Sequence, residues 1–175
     1  MPLIRGRRGQ STVELALTLP VLLLLVLGIV DFGRVFIAAN VITHATRDAA
    51  RYGSLNSGTA PANLTTIQDR VIDEGKRSSV TIDRSTITIS YLDGATGDPM
   101  GCYVRGATVQ TQAGTGDADC PGPFLVSRSF PFTPLPGDLV QVTVHLPWSA
   151  ETTIIQDVLP SGFTVNASAA SVIEQ

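Results

Sequence analysis

The 175-residue chain is poor in most of the groups that carry chemistry. It has a single lysine, Lys76, two histidines, His44 and His145, and two cysteines, Cys102 and Cys120. Charged residues are 15% of the total, against roughly 25% in an average soluble chain. The net charge is −3, so the chain lacks the basic face that a nucleic-acid binder needs, and no nucleic acid is expected as a partner. No Cys-x-x-Cys occurs, and no glycine-rich phosphate loop is followed by a lysine. His44 falls on the polar side of a helical pattern and His145 on the polar face of a strand pattern. Neither stands beside a nucleophile in a recognisable array, so neither an enzyme nor a cofactor is expected. Asp93, Asp98, Asp117 and Asp119 crowd one segment, but the EF-hand spacing is absent and turn chemistry is the simpler account.

What the chain does have is apolar surface, unevenly placed. Hydrophobic residues make up 43%, which excludes a largely disordered chain, and much of the excess lies between Val13 and Ala50. The run Leu15 to Val30 carries no charge. As a helix it reaches about 24 Å, a little short of a hydrocarbon core of about 30 Å. Thr12 and Val13 extend it at one end; at the other, Asp31 and Arg34 stand three apart and could pair before Val35, Phe36 and Ile37 resume. This predicts a membrane-spanning helix. Arg5, Arg7 and Arg8 precede it, which keeps the amino terminus in the cytoplasm and the carboxyl-terminal domain outside. A cleaved secretory signal fits less well: Glu14 stands at the mouth of the run, and no small-x-small site follows directly.

Glu14 is the fifth residue after Gly9, behind a basic leader and directly before the apolar helix. This array resembles a class III, prepilin-type signal. The wider pattern is Gly9, Val13-Glu14, Pro20, Asp31, Gly33-Arg34 and Ala49-Ala50-Arg51, and over roughly the first 55 residues it resembles the TadE-like family of the Tad (Flp) pilus system. The resemblance implies a prepilin peptidase that cuts between Gly9 and Gln10 and leaves the helix in the mature protein. It implies that Glu14 pairs with the new amino terminus of a neighbouring subunit, since a buried carboxylate needs a partner. It further implies a minor pilin or pseudopilin in the bacterial cytoplasmic membrane, with other pilin subunits as partners and a structural role. The competing expectation is a membrane-anchored binding or adhesion module, with the helix as a mere anchor.

The expected organisation is a leader over 1–9, a membrane-spanning and extended helix over 10–53, and an extracytoplasmic α+β domain over 54–175. Val35, Ala38, Ile42, Ala45, Ala49 and Tyr52 continue a helical stripe that Gly53 would end. Residues 53–62 read as a linker, and Leu64 to Lys76 as a short amphipathic helix whose charges form a solvated face. Period-two alternation predicts strands around Ile87–Tyr91, Val140–Trp148 and Phe163–Ala169, with Val80 and Ile82 as a further strand or its first half. Thr152 to Leu159 suggests a short helix. The fold expected is α+β, the long helix packed on a small antiparallel sheet of three or four strands. Residues 93–137, rich in glycine and proline, read as a long irregular insertion. Cys102 and Cys120 lie inside it and should form a disulfide outside the cytoplasm, worth about 3 kcal/mol in the chain-entropy model.

Overall fold

The structure is a computed structural model that describes residues 10–56, 64–104, 108–110, 134–149 and 163–174. The described residues fall into two units, one that holds residues 10–36 and one that holds those between 37 and 148 and between 163 and 174. Helix α1, Gln10–Leu55, is a single 46-residue helix that begins in the first unit and ends in the second. Pro20 sits inside it without ending it. The helix runs two residues past Gly53, so this glycine is not a stop.

In the first unit, α1 presents its apolar side chains outward. Val13, Leu15, Leu17, Leu19 and the leucines from Leu22 to Leu25 are all exposed, as are Ile29, Val30, Phe32 and Phe36. Asp31 is the exception, being only 5% exposed.

In the second unit, α1 turns one stripe inward. Ala38, Ile42, Ala45, Thr46, Ala49 and Ala50 are buried, at the 3–4 spacing of a helical face. The hydroxyls of Thr43 and Thr46 donate back to the carbonyls of Ala39 and Thr43, so these polar side chains need no outside partner. Helix α2, Leu64–Arg77, adds Leu64, Ile67 and Val71 to the same core. Its last turn closes where Val80 N–H donates to the Gly75 carbonyl (2.9 Å) and Ser79 takes a left-handed φ of 57°. Gly75 is required there, because a Cβ would lie 2.7 Å from the Val80 carbonyl oxygen and 2.8 Å from Ile82. Val80 and Ile82 therefore do not form a strand. Ile82 instead buries its side chain beneath α2 as the chain turns into a single 3-10 turn at Arg84–Thr86.

The sheet has five antiparallel strands: β1 (Ile87–Leu92), β2 (Pro99–Val104), β3 (Thr108–Gln110), β4 (Leu139–Trp148) and β5 (Phe163–Val172). Their order is β3-β2-β1-β4-β5. β4 alternates strictly: Val140, Val142, Val144 and Leu146 are buried and the residues between them half-buried, the signature of one face packed on the core. β1 is buried almost throughout, as a central strand should be.

Two strands were not expected. β2 and β3 lie within residues 93–137, whose glycine- and proline-rich composition hides strand alternation. Backbone pairing with β1, from Ile89↔Tyr103 to Leu92↔Pro99, holds β2 in place. The turn before it is built by Asp93, whose Oδ1 accepts from Ala95 N–H (2.8 Å) and Thr96 N–H (3.0 Å), and by Gly97 at φ 75°. The expected Thr152–Leu159 helix lies outside the described residues.

The end of α1 sits on one end of the β4–β5 pair. Gly53 lies against Val140, and the Ser54 hydroxyl is 3.0 Å from that of Ser171, the residue paired with Val140. Arg47, Arg51, Ser54 and Leu55 face Ala169–Val172 of β5 across a groove of about 370 Å³. At the other end of the pair, Trp148 opposes Phe163, with ring centroids 4.8 Å apart.

Candidate membrane and assembly segment

Gln10 is the first residue of α1, and Gly9 lies outside the described residues. Glu14 stands one turn into the helix, exposed, beside exposed Val13, Leu15 and Leu17. Its backbone carbonyl accepts the Thr18 hydroxyl at 2.8 Å. Among the described residues no cation pairs with its side chain. A carboxylate is thus set on an apolar surface at the first turn of a helix. In water it needs nothing, but in lipid it requires a cation from elsewhere.

The helix behind it is long and apolar enough to cross a membrane. Leu15 to Ile37 is 23 residues, which spans about 34 Å and covers the hydrocarbon thickness of about 30 Å. Asp31 falls inside that length. Its side chain is buried, and Oδ2 has no hydrogen-bond partner. The sequence offers Asp31 as a possible partner of Arg34 and as the acid of the TadE-like pattern; its spacing of seven from Ala38, on the face that turns inward, was the available signal for burial.

The remaining residues singled out in the sequence lie elsewhere. His44 is exposed on α1. His145 Nδ1 is 2.9 Å from Asn166 Oδ1 across the β4–β5 ladder. No group of three metal-ligating side chains occurs among the described residues. Asp93 serves its own turn, as above. Cys102 belongs to the backbone of β2, whereas Cys120 and the proposed bond between them lie outside the described residues. Trp148 and Phe163 come from segments 15 positions apart, and the register of β4 and β5 brings their rings together.

An apolar amino-terminal helix that runs on into an antiparallel sheet domain defines the class: an α+β protein with a helix fit to span a membrane. Within it, residues 9–51 match the family model described as TadE-like protein, which covers both Glu14 and the stripe that enters the core. That match associates the chain with Tad pilus proteins. No curated protein and no solved structure matches the chain.

Proposed function

We propose that this chain is a minor pilin or pseudopilin of a Tad-type pilus, held in the bacterial cytoplasmic membrane by α1. A prepilin peptidase cuts between Gly9 and Gln10. The amino terminus stays on the cytoplasmic side, where Arg5, Arg7 and Arg8 favour it, and the domain from residue 54 onward lies outside. The role is structural rather than enzymatic. Glu14 then pairs with the freed amine of Gln10 on a neighbouring subunit, so that two charges enter the bilayer as a neutral pair. Outside the cytoplasm, Cys102 and Cys120 join as a disulfide.

The observation that carries this reading is Glu14 itself: a lone carboxylate, five residues after a glycine, on the exposed apolar surface of a helix that is matched as TadE-like. Intact mass measurement of the native protein tests it. A mature chain that begins at Gln10 and is two hydrogens lighter than the reduced form is expected. A chain that begins at Met1, or near Asn40, overturns the reading. Glu14→Ala should still be cut but should fail to enter the assembly; normal assembly of this variant would remove the pairing role.

A further inference from the structure

The groove between the end of α1 and β5 holds charges of both signs that the chain leaves unpaired. Arg47 and Arg51 stand one turn apart on α1, both exposed, and line it together with exposed Glu174, two residues past the end of β5. Among the described residues, none of these three side chains forms an ion pair. Asp48 lies between the two arginines in sequence but pairs with Arg70, at 3.7 Å. The hydroxyls of the groove are already satisfied within the chain: that of Ser54 donates to the Arg51 carbonyl at 2.9 Å and lies 3.0 Å from that of Ser171. Two large apolar side chains remain open in the same groove, Leu55 at 61% and Val172 at 49% exposed. Apolar side chains and arginine gathered in one patch are the composition of a protein–protein contact.

We propose that a second copy of this chain docks in this groove, with Glu174 of each copy set against Arg47 and Arg51 of the other and with Leu55 and Val172 covered between them. A two-fold contact uses the same surface on both subunits, so the patch has to complement itself. This one does, because it supplies both the cations and the anion of the pair and leaves all of them without a partner in one chain. A wholly acidic partner would meet the arginines but would also meet the like charge of Glu174. Charge pairs at such a contact fix its orientation and reject wrong partners. The contact draws only on the groove residues between 47 and 174, and it goes beyond the pilin reading without depending on it.

The test uses the full chain in dodecylmaltoside, with the photo-reactive residue p-benzoylphenylalanine in place of Leu55. Illumination should yield a covalent dimer. Arg47→Glu with Arg51→Glu in one protein, and Glu174→Arg in another, should each lower that yield about tenfold, since like charges then face each other. All three positions are exposed, so the thermal midpoints should stay at the parent value. Mixing the two variants should restore the dimer, because every reversed charge then meets its opposite on the other copy. A mixture that yields no more dimer than either variant alone overturns the proposal. So does a parent chain that gives no dimer, or a yield that either reversal leaves unchanged. Should a reversed protein lose its midpoint, Arg47→Gln with Arg51→Gln, or Glu174→Gln, takes its place: each should still lower the yield, and an unchanged yield overturns the contact.

Discussion

Gly53 lies so close to Val140 that a Cβ on the glycine would stand 2.8 Å from Val140 Cγ1 and 2.9 Å from Ile67 Cδ1. Val140 and Ile67 are fully buried, so neither has free space to yield. Gly53→Ala should lower the thermal midpoint of the full chain in detergent, with overpacking of about 1–3 kcal/mol outweighing a gain in helix propensity of about 1 kcal/mol. Gly33→Ala is the control, because nothing lies within 4 Å of its added Cβ. It should leave the midpoint unchanged or raise it.

Arg84 ties the 3-10 turn to α2. It donates to Gln68 Oε1 at 3.0 Å and pairs with Asp69. Gln68 is 2% exposed, whereas the Asp69 side chain is 55% exposed. Arg84→Met should therefore cost about 1–3 kcal/mol, because a buried amide oxygen loses its donor. Asp69→Asn should cost less than about 1 kcal/mol, as an exposed ion pair does. Chemical denaturation of the two variants side by side checks the order.

Asp138 is buried and draws two loops together. Its Oδ2 accepts from Leu135 N–H at 2.7 Å, and its Oδ1 faces Gly94 N–H at 3.4 Å. Asp138→Ala should lose about 1–3 kcal/mol through the unpaired amide of Leu135. Hydrogen exchange should show that amide, slow in the native protein, exchanging faster in the variant.

Asp83 gives a pH signature. The Ser85 hydroxyl and then the Ser85 backbone N–H hold its carboxyl below the usual 3.8. The folded value lies below the unfolded one, so the contribution to stability is complete above about pH 4 and is lost as pH falls through the folded value. Carboxyl carbon chemical shifts should titrate at lower pH for Asp83 than for a free aspartate. Ser85→Ala should move that midpoint upward.

The helices and the two long strands were legible because their signals are periodic and local. Spacings of three and four from Val35 to Tyr52 marked the face of α1 that the structure buries, and alternation from Val140 to Trp148 marked β4. β2 and β3 were not legible, since their place depends on a backbone ladder with β1 that composition does not record. Gly53 was misread for a related reason: a glycine near a helix end suggests a stop, but this one makes room for Val140, and that contact joins positions 87 residues apart. For the candidate site, the Gly9–Glu14 spacing stood in the sequence. The burial of Asp31 and the meeting of Trp148 with Phe163 required the fold.

β5 is the last strand on its side of the sheet, and its ten residues, FTVNASAASV, contain no charged side chain and no proline. Proteins ordinarily guard such a margin with lysine, proline or a bulge. Among the described residues no further strand lies beyond it. In a version of this domain freed from its anchor and concentrated in solution, nothing in the sequence of this strand would oppose main-chain bonding between copies; a lysine introduced at Ala170 would supply such a guard.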